Sequence, residues 1–313
     1  MILCCGEALI DFVPLPEMRA YQPCPGGSVF NVAVGLGRLK ASVGFFCKLS
    51  TDFFGDMLVE YLNENNVDTN LSPRTSLPTT LAFVSLPSSA FSEPQFSFYA
   101  NQSADRSLTV AELPSEWPDN IDVLQFGSIS LVMEPGATAL ETIMVRERHK
   151  SIIALDPNVR PSLISDRKKY RRRFEKWIAS TDILKLSTVD FQWIYPEAEF
   201  ERLLQTWFDL GVSLCILTRG EKDPQAFTNT GISSSGHTPH IEVADTVGAG
   251  DTFFAAVLAF LYENRLMQKG SLGDISAKQL SACLAFASQA AAINCSRTGA
   301  DPPHREEMEV YFG

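Results

Sequence analysis

Apolar residues recur along this chain in two alternating rhythms. Short, nearly continuous apolar runs at 1–10, 42–49, 122–129, 151–156, 182–187 and 212–218 predict buried strands. Between them, apolar residues spaced three and four apart predict helices. The first opens at Gly26-Gly27-Ser28 and runs through Val32, Val34, Leu36 and Leu39; others cover 53–65, 136–149, 166–179 and 198–210. Strand and helix in alternation predict an α/β fold, a mostly parallel sheet flanked by helices. The alternation breaks once. Two β-rich runs, 79–86 and 95–99, follow one another across a Pro/Ser-rich turn with no helix between them. They predict an antiparallel hairpin, and with residues 12–22 a small sheet standing apart. The expected division is a core of residues 1–11, 23–76 and 103–313 and a β-sheet appendage of residues 12–22 and 77–102. A hairpin at 225–243 and helices at 249–263, 276–294 and 304–312 complete the pattern.

The helix at 249–263 is apolar on every side, which predicts burial. It starts inside the stretch Asp245-Thr246-Val247-Gly248-Ala249-Gly250-Asp251. The first N–H groups of a helix lack intrahelical partners, and the helix dipole makes that end positive. With no side chain on Gly248 or Gly250 and only a methyl on Ala249, a phosphate could approach those groups closely. Asp251 would then place a carboxylate beside it. That pairing is repulsive unless the carboxylate takes a proton from an attacking hydroxyl or works with a metal, so the stretch points to phosphoryl transfer. For an isolated Gly-Ala-Gly-Asp, a capped glycine turn is the simpler reading, and the rest of the chain must decide.

Other polar residues gather at predicted strand ends: Asp11, Gly26-Gly27, Asp156-Pro157-Asn158-Val159-Arg160, Lys185-Leu186-Ser187 and Thr218-Arg219-Gly220. In a parallel α/β sheet, ligands bind outside the carboxyl ends of the strands, so these segments should converge on one crevice. No G-x-x-x-x-G-K-[ST] loop, complete dinucleotide fingerprint or protein-kinase motif is present. The chain has 313 residues, is 45% hydrophobic and carries a net charge of −11, an acidic balance that argues against nucleic acid as a partner. The basic run Lys168-Lys169 and Arg171-Arg172-Arg173 flanks a core stripe of Tyr170, Phe174, Trp177 and Ile178, and reads as a solvated helix face. No apolar run is long enough to cross a membrane, and the first residues lack a leader pattern. A cytoplasmic protein is expected, with its seven cysteines reduced.

Two motifs resemble those of the ribokinase (PfkB-type) carbohydrate kinases, and most of all the bacterial fructokinases within that family. Gly26-Gly27-Ser28-Val29-Phe30-Asn31-Val32-Ala33 resembles the family's first signature, and Asp245 through Phe253 its second. Similarity extends to Gly6–Phe12, Ala104 through Thr109, Asp156 through Pro161 and Arg297-Thr298-Gly299-Ala300. The resemblance implies a ribokinase-like, Rossmann-like α/β core with the small sheet as a lid, which in this family often forms a homodimer contact. It implies ATP and Mg²⁺ as cofactors and a sugar hydroxyl as acceptor, with D-fructose phosphorylated at O6. Asp251 would be the catalytic base, and the N–H groups of Gly248, Ala249 and Gly250 the anion hole. Asp11, Gly27, Asn31, Asp105 and Arg160 would bind substrate, and Lys185, Thr218 and Gly220 the nucleotide. Asp190 matches a magnesium-linked position, and Asp245 and the Val247 carbonyl match positions that hold a monovalent cation, K⁺, in some members.

Three positions depart from the family pattern. The N-x-x-E element reads Ser187-Thr188-Val189-Asp190, Asp223-Pro224 stands where a glycine is usual, and Ala100 replaces an arginine common after the Phe-Tyr pair. The alternatives are another kinase of the family, acting on an aminoimidazole riboside, ribose or 2-keto-3-deoxygluconate, and a non-catalytic relative that senses sugar or nucleotide.

Overall fold

The computed structural model describes residues 1–15, 18–85 and 95–310. The strands are β1 Ile2–Cys5, β2 Leu9–Leu15, β3 Ala20–Gly26, β4 Val43–Phe46, β5 Leu49–Ser50, β6 Val67–Asp68, β7 Arg74–Thr75, β8 Thr80–Ser85, β9 Gln95–Tyr99, β10 Val123–Gly127, β11 Ile152–Asp156, β12 Ile183–Ser187, β13 Leu214–Arg219, β14 Lys222–Thr228 and β15 Ser233–Ser235. The helices are α1 Ser28–Arg38, α2 Phe53–Glu64, α3 Gly136–Glu147, α4 Arg167–Ile178, α5 Thr188–Ile194, α6 Phe200–Leu210, α7 Ala249–Glu263, α8 Ala277–Cys295 and α9 Arg305–Val310.

A nine-stranded sheet, in the order β15-β14-β13-β12-β11-β10-β1-β4-β6, forms the core. From β13 to β6 every pairing is parallel, and β14 and β15 add an antiparallel edge. Alternate side chains along the strands enter two hydrophobic layers. Ile2, Cys4, Ile152 and Ile183 pack with α1, α7 and α8, while Leu3, Cys5, Ile153 and Leu184 pack with α3, α4 and α6. Burial on both faces explains why these strands read as continuous apolar runs. The chain leaves β1 toward β4 on one side and later returns as β10 on the other, so the strand order reverses at β1. The crevice at such a reversal is where open α/β sheets bind ligands.

Helix α7 is buried along its length from Asp251 to Ala259. It packs on α1 because Gly35 carries no side chain: a methyl there would lie 2.8 Å from Ala255 Cβ. That close approach brings the start of α7 against the start of α1. A second, four-stranded sheet, β3-β2-β8-β9, stands beside the core. On one face Phe12 stacks on Phe83 with centroids 4.7 Å apart, and Tyr21 and Tyr99 meet Phe83 edge-on. Tyr21 and Tyr99 are exposed while Phe12 meets Phe54 of α2 edge-on at 5.7 Å, so among the described residues that face is aromatic and partly uncovered.

Several expectations change. The small sheet takes Leu9–Leu15 and Ala20–Gly26 rather than 12–22 alone, and the strand expected at 42–49 is broken into β4 and β5. The run at 1–10 is two strands, because Glu7 at the break spends its carboxylate on backbone N–H groups of the core while β2 joins the small sheet. Residues 188–194 form a helix where none was expected, opened by a Ser187–Asp190 capping box. The hairpin expected at 225–243 is shifted to Lys222–Thr228 and Ser233–Ser235, since Lys222 already pairs with Arg219. Strands β8 and β9 pair antiparallel as expected. The Pro/Ser-rich turn joining them lies outside the described residues, as do Pro16 and Glu17 and the last part of the helix expected at 304–312.

Candidate active site

Asp251 sits in the first turn of α7, 5% exposed, and three side chains hold its carboxylate. Ser28 Oγ donates to Oδ1 at 2.7 Å, Asn158 Nδ2 to the same oxygen at 3.1 Å, and Asn31 Nδ2 to Oδ2 at 2.9 Å. Ser28 and Asn31 come from α1 and Asn158 from the turn after β11. Charge-assisted hydrogen bonds of this kind fix both the rotamer and the plane of a carboxylate.

The turn before Asp251 has the backbone expected of an anion site. Gly248 caps α7 in the left-handed region at φ 73°, and a Cβ there would lie 2.6 Å from Ala300 Cβ. Of the nearby N–H groups, Ala249 donates to the Thr246 carbonyl at 3.2 Å. Those of Gly248, Gly250 and Asp251 face no protein acceptor among the described residues. The turn is anchored from behind by Asn294, which is fully buried. Its Nδ2 donates to the Val247 carbonyl at 2.8 Å, and its Oδ1 accepts from Thr252 Oγ1 and the Asp301 N–H.

Lys185 ends beside this turn: a methyl on Gly250 would lie 3.2 Å from its Nζ. The ammonium pairs with Asp156 Oδ2 at 2.6 Å, and both residues are buried. Burial raises the Asp156 carboxyl to about 6 even though Lys185 pulls it down. Burial alone would lower the Lys185 ammonium, but Asp156 prevails and the net shift is upward. Asp190 accepts the Val159 N–H at 2.8 Å and both the N–H and Oγ of Ser187. Its carboxylate is thus engaged in holding two loops together. Asp245 accepts the N–H groups of Val247 and Gly299 through its two oxygens, at 3.1 and 2.9 Å.

On the small-sheet side, Asp11 lies on β2 opposite Cys24, and a methyl on Gly26 would sit 2.4 Å from its Oδ2. Burial raises the Asp11 carboxyl to about 7, offset by Arg160 and reinforced by Asp251. Gly27 lies on the Glu7 backbone, directly before α1. Arg160 Nη1 donates to Asn158 Oδ1 at 2.6 Å. Asp105 accepts from Thr80 Oγ1 and Ser103 Oγ at 2.5 and 2.8 Å, tying the loop after β9 to β8. Thr218 pairs in register with Ser187 near the end of β13, and Gly220 follows it at φ 63°.

Asp251, Asn31, Gly27, Asp11, Arg160, Lys185 and the Gly248–Gly250 turn therefore converge. Thr218 and Gly220 are not among the residues that converge there. A cavity of about 340 Å³ lies between the loop of His237, Pro239, His240 and Ile241 and the α8 residues Ala285, Gln289 and Ile293, and neither Thr218 nor Gly220 lines it. Asp223, just beyond Gly220, accepts the Thr238 N–H of that loop at 2.9 Å. Helix α8 also supplies Asn294, so the cavity and the anion turn share one wall.

Four residues of the site carry no individual role in the sequence: Glu7, Ser28 and Asn158 lie inside motifs already singled out, and Asn294 lies outside them. Glu7 is buried and caps α1 by accepting the Ser28 and Val29 N–H groups at 2.8 and 3.4 Å, with Oε2 taking the Ser130 N–H at 3.3 Å. Burial raises its carboxyl to about 7. Between the ordinary carboxylate range and pH of about 7, folded Glu7 keeps a proton that the unfolded chain has released. Stability should therefore fall as pH rises through that window. Glu7→Gln should show a shallower slope of melting temperature between about pH 5 and 8. Parallel wild-type and variant curves would remove Glu7 as a contributor.

Known proteins resemble this chain in sequence and in fold. The sequence profile of the pfkB family of carbohydrate kinases matches residues 1–307. A fructokinase of Rhizobium leguminosarum bv. trifolii is 35% identical over 90% of this chain and 85% of its own. Fructokinase-1 of Oryza sativa subsp. japonica is 33% identical over 99% of this chain and 96% of its own. The crystal structure of Xylella fastidiosa fructokinase with bound ATP superposes with a TM-score of 0.90 at 29% identity, covering 99% of this chain and 97% of that one. With its large, mostly parallel sheet, separate small sheet and glycine turn before a buried aspartate, the chain belongs to the pfkB family of carbohydrate kinases.

Proposed function

We propose that this kinase transfers the γ-phosphoryl group of ATP to D-fructose, giving fructose 6-phosphate. The observation that carries the reading is the juxtaposition of Asp251 with open N–H groups at the start of α7. A nucleophile's proton and the charge on a transferring phosphoryl group need those two features side by side. The 35% identity to a bacterial fructokinase favours fructose over other acceptors.

In this reading Asp251 takes the proton of the sugar hydroxyl, and the N–H groups of Gly248 and Gly250 stabilise the phosphoryl oxygens. Ala249 joins them on releasing the Thr246 carbonyl. Asp11, Gly27 and Asn31 hold the sugar, with Asp105 fixing the loop behind it and Arg160 at the phosphate-accepting end. Lys185 faces the phosphates. Thr218 and Gly220 border the nucleotide, whose base takes the cavity along α8. Among the described residues no group of three or more His, Cys, Asp or Glu could hold a metal ion. That suits Mg²⁺, which is bound by one or two carboxylates plus substrate phosphates. It would supply charge neutralisation on those phosphates; Asp190, at the magnesium-linked position, would have to give up a contact with Val159 or Ser187 to reach it. Asp245 and the Val247 carbonyl are the candidates for a monovalent cation, K⁺. The small sheet acts as lid, and its partly uncovered aromatic face is the contact of a homodimer.

A coupled assay of ADP release over a panel of sugars tests this. Fructose should give the highest kcat/KM, and sedimentation of the same preparation should show a dimer. A higher kcat/KM for an aminoimidazole riboside, ribose or 2-keto-3-deoxygluconate would replace the substrate and leave the kinase. No turnover on any sugar would leave a sensor.

A further inference from the structure

The motif Asp156-Pro157-Asn158-Val159-Arg160 is held more tightly than substrate contact requires. Asp156 Oδ1 accepts the Asn158 N–H at 3.3 Å while its Oδ2 pairs with Lys185. The Val159 N–H is fixed by Asp190, and Arg160 grips Asn158 Oδ1. Asn158 itself has φ 34°, a backbone state that asparagine tolerates better than most residues but that its surroundings must enforce. Its Nδ2 points into the site, 2.6 Å from Ser28 Oγ and 3.1 Å from Asp251 Oδ1. Ser28 Oγ in turn donates to the same Asp251 oxygen, closing a three-membered ring of polar atoms.

We propose that Asn158 is the positioning residue of the base: with Ser28 it occupies Asp251 Oδ1 and turns Oδ2 toward the acceptor hydroxyl. This rests on Asp251 being the base. Among the described residues Asn31 alone donates to Oδ2, and a sugar hydroxyl can take the place of that contact. The same turn connects to the phosphate side through Asp156–Lys185 and Arg160, so one rigid loop sets the base relative to the phosphoryl donor. Misplacement of a reacting group by about 1 Å can cost 10²-fold in rate.

Three variants measured together provide the test. Asn158→Gly permits the positive φ and removes only the side chain. Its kcat should fall about 10–100-fold with little change in the ATP KM, while the sugar KM moves only as far as Arg160 does on losing its Asn158 Oδ1 partner. Asn158→Asp keeps the shape but sets a second carboxylate against Asp251. The charged groups facing that place are Glu7, Asp11, Asp156, Asp190, Lys185 and Arg160. A further negative charge disfavours ionised Asp251, so the acid limb of the kcat–pH profile should move to higher pH. A merely structural asparagine would lower melting temperature and leave the profile in place. If Asp251→Asn is inactive while both Asn158 variants keep wild-type kcat and pH profile, the positioning role is wrong and the base stands. If Asp251→Asn is active, the reading of the base itself fails.

Discussion

Replacing Asp251 by Asn should lower kcat by about 10²–10⁴-fold, the worth of a positioned general base, while both ligands still bind. Asparagine keeps the size and the hydrogen-bonding oxygen that Ser28 Oγ meets at 2.7 Å. Its amide opposes the donors from Asn31 or Asn158, so the ring of contacts must rearrange locally. The fold should survive, because α7 is held by its apolar sides between α1 and α8. Loss of a negative charge beside the γ-phosphate should leave ATP affinity equal or slightly raised. The checks are kcat and the melting shifts produced by ATP and by fructose on the same purified variant. Turnover within about threefold of wild type, against that expected loss, would reduce Asp251 to a helix cap.

The second large effect should come from Gly248→Ala. The turn needs φ 73° here, and the new methyl would press on Ala300, 2.6 Å away. Relief requires the turn to move, and the N–H groups it presents move with it. Losing one such donor typically costs about 10²–10³-fold in kcat, on top of about 1–3 kcal/mol of backbone strain. Gly231→Ala is the control. It sits at φ 87° with nothing within 4 Å of the added methyl, in the turn between β14 and β15. Both variants should lose stability, but only Gly248→Ala should lose kcat. Equal kcat values in the two would show that the turn's N–H groups do not hold the phosphoryl group.

The parts of this architecture that follow from local rules are legible in the chain. The strands are buried on both faces and read as apolar runs, and α7 reads as buried because no face is polar. Asp251 and the glycines before it are adjacent in sequence, so their juxtaposition is legible, while the choice between a capped turn and an anion site waits on the rest of the chain. The break after β1 is hidden because Leu9 and Ile10 continue the apolar run while changing sheets. Helix α5 is short, and its capping box closes with Asp190 rather than the usual longer carboxylate or amide. Ser28 and Asn158 take their roles from a partner far along the chain, which no local pattern reports. Asn294 did carry a signal: an amide in an alanine-rich helix, where a buried polar group must find partners.

Strand β1 lies between β4 and β10, with Cys5 opposite Phe46 on one side and Phe126 on the other. A chain emerging from the ribosome at about 5–20 residues per second can pair β1 with β4 early but must wait for β10 to cover the other edge. The wait is longer for the site. Asn31 meets Asp251 across 220 positions and Ser28 across 223, so the carboxylate meets its partners only after most of the chain has been made. Such distant pairings are slow steps in folding. An incomplete chain is thus an exposed sheet edge before the partners of Asp251 have met.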